Sequence, residues 1–256
     1  MKKYVEIFKY SLKQKLNFLP DYIFSLISFG IHVFIFNELW DYILQGKNIE
    51  GYTKTELIWY IIIAELITYS IRNIYKQIAD TVKNGEIANM LLRPINYIAY
   101  LIADSSSTII KFAINLIFAI ILGGILAGPI EISTFGVLVT FISIVISVFL
   151  GILIQIFIGL LSFYTEENKS FWLIIQKLQL LIVFTPIEFY PEVMQKILYV
   201  FPTTHMIYSP SKMFVDFANV NIIGLISIQL ISILLMITII ILMYRKGVKK
   251  INVNGG

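Results

Sequence analysis

The sequence predicts an all-α membrane protein in which six helices cross the bilayer. Three observations carry that expectation. Apolar residues make up 58% of the 256 positions and charged ones 14%, against roughly 45–50% and 25% in an average soluble chain. The apolar residues fall in runs close to the length of about 20 positions that a bilayer needs. The lysines and arginines, which give a net charge of +4 and a pI near 9.0, collect in short clusters between those runs rather than along one polar surface. That is a membrane pattern and excludes a nucleic-acid binder. No segment between the runs is long enough for a separate globular unit, so residues 1–256 read as a single membrane domain.

The elements follow in order. Val5, Phe8, Leu12, Leu16 and Leu19 recur at steps of three and four, with Lys2, Lys9 and Lys13 beside them. This predicts an amphipathic helix within residues 1–20, lying in the membrane interface. The segment has no small-residue cleavage site and leads into a full span, so no removed signal peptide is expected. The first span covers residues 23–40, bordered by Asp21 and Asp41. The second covers 57–71 and carries Glu65; the third covers 112–127 and ends at Gly123-Gly124 and Gly128-Pro129. Residues 132–165 hold no charge, and as one helix they would extend about 51 Å, so this fourth span must tilt or protrude. The fifth, residues 171–184, contains Lys177, and the sixth covers 220–244.

Two connecting segments have structure of their own. Ile74, Ile78 and Val82 share a helical face, Asn84-Gly85 supplies a stop, and the pattern restarts at Glu86 until Arg93-Pro94 ends it. A helix-turn-helix is expected over residues 73–94, its exposed Ile and Leu residues docking on a soluble partner. Residues 185–219 hold Pro186, Pro191, Pro202 and Pro210 among aromatics and aliphatics, too apolar for a free loop. The prolines forbid one long helix, whereas residues 193–201 suit a short one, and re-entrant half-helices in the outer leaflet are expected.

Orientation follows from the cationic residues. Of 20 lysines and arginines, fifteen fall on the side of the N-terminus, the 73–94 segment and the C-terminal tail, and four (Lys47, Lys54, Lys196 and Lys212) on the other. This places both termini in the cytoplasm.

Several chemistries are absent from the pattern. Without cysteine there is no disulfide, thiolate metal site or thiol nucleophile. No G-x-x-x-x-G-K-[ST] string occurs, so the chain does not hydrolyse ATP itself. His32 and His205, the two histidines, have no Cys or carboxylate at ligand spacing, so no metal site is expected and His32 should hydrogen-bond within the spans. Ionisable side chains inside spans are costly and mark candidate functional positions. Glu65 is one, with Lys177 as a candidate ion partner. Asp104 and Lys111, seven residues apart on one helical face beside Ser105, Ser106 and Ser107, suit a structural role at the headgroup level.

Three stretches carry a resemblance: Lys83-Asn84-Gly85-Glu86 followed by Leu91-Leu92-Arg93-Pro94; Phe189-Tyr190-Pro191; and Phe201-Pro202 followed by Tyr208-Ser209-Pro210. In order and spacing the chain resembles the ABC-2 type exporter permeases, six-span membrane subunits of ABC transporters, over nearly its whole length. The resemblance implies a permease of a prokaryotic cell membrane served by two copies of an ABC ATPase, which would bind the ATP and Mg²⁺. The second permease would be another copy or a related six-span chain. It also implies that residues 1–20 form an elbow helix and that Lys83, Gly85, Glu86, Leu91, Arg93 and Pro94 belong to a coupling helix facing the ATPase. Glu65, Lys177, Tyr190, Pro191, Phe201, Pro202 and Tyr208 are candidates for the path of an amphipathic or hydrophobic substrate such as a drug, an antimicrobial peptide or a lipid. The rival reading is an ion-coupled secondary transporter that protonates Glu65.

Overall fold

The computed structural model describes residues 2–15, 19–105, 107–165 and 168–254. Among these the secondary structure is helical, with a lone bridge between Ile49 and Tyr52.

Helix α1 (Lys2–Lys15) lies across one end of a bundle. It turns Tyr4, Ile7 and Ser11 inward: the Tyr4 hydroxyl accepts from the Asn96 amide at 2.9 Å, and Ser11 Oγ donates to the Asp104 carbonyl at 2.6 Å. Val5 and Phe8, from the expected apolar stripe, stay 48% and 37% exposed. Leu16 of that stripe lies outside the described residues, as does the side chain of Leu19.

Helix α2 (Leu19–Leu44) runs antiparallel to α3 (Lys54–Ser70). A capping box starts α3: the Thr53 hydroxyl accepts from the Glu56 amide while the Glu56 carboxylate accepts from the Thr53 amide at 2.7 Å. After Ser70 the chain bends into α4 (Ile74–Lys83). Gly85, at φ 73°, then reverses it into α5 (Glu86–Leu91), a left-handed conformation that glycine adopts without a Cβ penalty. The helix-turn-helix is therefore as the sequence pattern predicts. Its apolar face, however, is used within the chain: Ile74, Ile78 and Ile87 are buried, and Ile78 packs where a Cβ on Gly159 would sit. Leu92, 84% exposed, is the large apolar side chain this segment does present.

Asn96, whose side chain accepts from the Ala99 amide, caps α6 (Tyr97–Asp104), which leads to α7 (Ser107–Leu122). The last turn of α7 continues as a π-helical segment, Gly123–Ala127. Gly123 has no side chain because the Trp59 indole fills that space, and Trp59 Nε1 donates to the Gly128 carbonyl at 2.9 Å. Helix α8 (Thr134–Leu160) ends in a 3₁₀ turn, Leu161–Phe163, so the long uncharged stretch is one helix of about 40 Å. Ile71 and Ile78 enter its surface at Gly151 and Gly159, the small-residue contact that lets membrane helices approach closely.

Helix α9 (Lys169–Phe184) is followed by a 3₁₀ turn, Ile187–Phe189, then α10 (Glu192–Leu198) and α11 (Pro202–Val215). Pro202 occupies the first turn of α11, where its missing N–H costs nothing. Nearly all of α11 is buried against α3, α8, α9 and α12 (Ile222–Asn254), so this helix of the proline-rich segment forms the middle of the bundle, while α10 stays largely exposed.

Among the described residues, five helical stretches are long and apolar enough to cross a membrane: Tyr22–Leu44, Lys54–Lys83, Tyr97–Ala127, Thr134–Phe163 and Ile222–Lys250. The expected fifth span corresponds to α9, which at 16 residues reaches about 24 Å, short of a full crossing by itself. Its start packs at one end of the bundle, Trp172 stacking on Tyr75. Its end meets α2 well along that helix, Phe184 stacking on Phe36, and Phe189 then meets Trp40 and Tyr52.

Candidate functional site

Helices α2 and α9 both flank α3 but touch each other chiefly at one level. There Phe36 and Phe184 stack with ring centroids 3.9 Å apart, and the His32 ring meets Phe184 edge-on at 5.7 Å. From that closure toward the end carrying α4, the two helices part and leave a cleft of about 360 Å³. Phe24, Ser25, Ser28 and His32 line it from α2, Glu65, Thr68 and Tyr69 from α3, and Gln155 from α8. Trp172, Gln176, Gln179, Leu180 and Val183 form one face of α9 toward it.

At its deep end Glu65, 2% exposed, pairs with His32: Nδ1 lies 2.8 Å from Glu65 Oε1 and 3.3 Å from the Tyr69 hydroxyl. A carboxylate taken from water is held by a polar partner or not at all, and here the partner is the histidine of the neighbouring helix. Lys177, the ion partner the sequence suggested, is exposed on α9, roughly a third of a turn away from the cleft-lining face. Asp104 and Lys111, from one helical face, point to different surroundings. Asp104 meets Arg72 Nη2 at 3.1 Å and accepts from Gln77 Nε2 at 3.2 Å, while Lys111 lines the cleft. Sequence reasoning overlooked His32 as the partner of Glu65 and Gln155, Gln176 and Gln179 as lining. The available signal was amide side chains in otherwise apolar helices, at positions 176 and 179 three residues apart on one face.

The other candidate path residues stand apart from this cleft, at the far end of the bundle. The Tyr190 hydroxyl donates to the Leu181 carbonyl at 2.9 Å, Pro191 leads into α10, and Phe201 and Pro202 open α11. Tyr208, buried, donates to Glu188 Oε1 at 2.7 Å. Glu188 belongs to a cluster centred on Lys212, whose Nζ lies 3.1 Å from Glu188, 3.0 Å from Asp216 and 2.8 Å from the Tyr52 hydroxyl. Burial, reinforced by the nearby Glu188 carboxylate, pushes the Tyr52 phenol above its usual value, so it stays protonated.

At the opposite end, the residues of the Lys83–Pro94 motif form a projecting surface. Lys83, Gly85, Glu86, Arg93 and Pro94 are exposed and Leu91 is half-buried. Glu86 and Arg93 border a cavity of about 800 Å³ that α1 and α6 close with Glu6, Tyr10 and Tyr100. The two candidate regions are thus separate: a polar cleft along the bundle and a charged knob at its end, joined through α3 and α4.

Among curated protein sequences none matches the chain significantly. A family model described as ABC-2 family transporter protein matches residues 22–255, which takes in every helix of the bundle except α1. The chain therefore belongs to the ABC-2 family of transporter proteins and is an integral membrane permease of that family.

Proposed function

We propose that this chain is the transmembrane subunit of a type-2 ABC exporter, moving an amphipathic or hydrophobic substrate outward with ATP hydrolysed by two copies of a separate ATPase. A second permease, another copy or a related chain, completes the pore. The end bearing α1, α4, α5 and the α12 terminus faces the cytoplasm, in keeping with the fifteen cationic residues assigned to that side and four to the other. The sixth crossing is made by α9 together with the Ile187–Phe189 turn, whose ring contacts run from Tyr75 to Trp40 and Tyr52. Helices α10 and α11 form the re-entrant pair on the outer side, and α1 is the interfacial elbow, with Val5 and Phe8 toward lipid.

The observation that carries this reading is the α4–α5 knob. It exposes Glu86, Arg93 and Leu92 at the cytoplasmic end, while Ile78 seats its base on α8 at Gly159. A surface that is exposed, charged and rigidly braced suits an ATPase that must push on it, which is the role of a coupling helix. ATP and Mg²⁺ belong to the partner. Charge reversal at both positions, Glu86→Lys with Arg93→Glu, should abolish co-purification with the co-expressed ATPase and ATP-driven export. Retention of both would overturn the assignment.

A second reading, an ion-coupled transporter, draws on the His32–Glu65 pair at the cleft. It predicts substrate uptake into ATPase-free proteoliposomes driven by a proton gradient alone, whereas the exporter reading predicts none.

A further inference from the structure

We infer that the cleft between α2, α3 and α9 is a binding site for an amphipathic organic cation, its charged head held by the Glu65 carboxylate. The inference rests on the permease reading and specifies what that permease would take from the inner leaflet.

The cleft holds one acidic side chain, at its deep end. Glu65 is 2% exposed and meets His32 through Oε1, one contact for a carboxylate whose two oxygens offer about four lone-pair sites. A buried carboxylate with acceptor capacity left over favours a cation or a strong donor and repels an anion at short range. Lys111 lines the same cleft but lies toward its cytoplasmic end. Asn115, one turn further along α7, contacts Ser70 at 3.5 Å, while Glu65 is five residues beyond Ser70 in the outward direction. Glu65 and Lys111 are thus separated by about 13 Å of helix axis.

The remaining walls suit the rest of such a molecule. Phe24, Tyr69 and Trp172 bring aromatic rings to the lining, side chains of the kind that attract a cation. Gln176 and Gln179 carry amide oxygens that accept from an ammonium N–H, and Leu180 and Val183 receive an apolar body. The volume of about 360 Å³ falls in the range of small-molecule sites. The seam between α2 and α9 below the Phe36–Phe184 stack lets a longer tail extend sideways into lipid.

The test uses an isosteric pair of opposite charge, tetraphenylphosphonium and tetraphenylborate, titrated against the full-length permease in lipid nanodiscs, with empty nanodiscs subtracted. The cation should bind saturably and the borate should not. Glu65→Gln, nearly the same shape without the charge, should weaken the cation about tenfold or more. Removing the competing partner with His32→Ala should tighten it, and Lys177→Gln, off the cleft face, should leave it unchanged. The His32→Ala arm keeps the inference testable should Glu65→Gln fail to fold. Equal affinity of wild type and Glu65→Gln, saturable preference for the borate, or weakening by His32→Ala would each overturn the site. The permease reading is judged separately by co-purification with the ATPase. If that complex forms and hydrolyses ATP while the cation ignores Glu65, this inference fails alone; if the complex never forms, the permease reading fails and the binding result stands by itself.

Discussion

Ile78 of α4 sits in the notch that Gly159 leaves in α8: a Cβ built on that glycine would overlap Ile78 Cδ1 and come within 2.9 Å of its Cβ. The contact joins the projecting α4–α5 knob to the longest uncharged helix of the bundle, so that a force on the knob is delivered to α8. Gly159→Leu should therefore push α4 off its seat, costing about 1–3 kcal/mol as overpacking does. Thermal unfolding in detergent should record a lower midpoint. ATPase association should persist while export falls, because the knob remains but its brace is lost. Unchanged export would show that α4 transmits nothing through this contact.

The Lys212 cluster ties three separate segments together at the end of the bundle remote from α1. Lys212 is 14% exposed, and its carboxylate partners Glu188 and Asp216 are 30% and 28% exposed. Lys212→Met would leave both without their cation. Breaking a buried pair costs about 3–5 kcal/mol and an exposed one about 0–1, so a loss near 2 kcal/mol is expected, partly restored by adding Glu188→Gln. Unfolding midpoints of the single and double variants check this, and a double variant no better than the single would contradict it.

Gln229 of α12 uses its whole amide. Oε1 accepts from Ser143 Oγ at 2.9 Å, and Nε2 donates to Ser147 Oγ at 2.7 Å and approaches the carbonyls of Ser143 and His205 at 3.3 Å. Between membrane helices such bonds are worth roughly 0.6–2 kcal/mol. Gln229→Leu should destabilise by about that amount and loosen α12 from α8 and α11, seen as faster amide exchange in α11. Full protection of α11 in the variant would contradict the link.

At the end of the bundle that carries α1, Asp104 accepts from both Arg72 and Gln77, and its carbonyl holds Ser11 of α1. Asp104→Asn should cost about 1–2 kcal/mol by removing the charge from these bonds. It should also loosen α1 from α6, seen as faster amide exchange in α1, whereas Arg93→Gln, outside the cluster, should not.

Much of this architecture is legible in the residues. Apolar runs with clustered lysines mark the crossing helices, and Asn84-Gly85 marks the turn between α4 and α5, because length and φ requirements are local properties. Pro191 and Pro202 foreshadow the short α10 and the start of α11 for the same reason. What sequence does not carry is which faces meet. Glu65 finds His32 rather than Lys177 because the pairing depends on the rotation of α2 and α9 about their own axes. The apolar face of α4 is spent on α8 instead of a partner because Gly159, seventy-five residues beyond the turn, leaves room for it. That α11 lies at the centre of the bundle is a third such fact. Its composition is moderately polar, and Thr204, His205 and Tyr208 find their partners in the segment just before it, at Leu198, Tyr199 and Glu188, contacts that no periodicity announces.

The stacked rings of Phe36 and Phe184 set a bound on how the closed end of the cleft can behave. An aromatic pair is worth about 0.5–1.5 kcal/mol beyond its buried area, which corresponds to a population ratio of only about two to twelve. Thermal motion alone parts two such rings often. A closure this shallow would delay a molecule in the cleft without sorting it or preventing its return, so directional passage, if this permease is an exporter, would need larger motions of the helices.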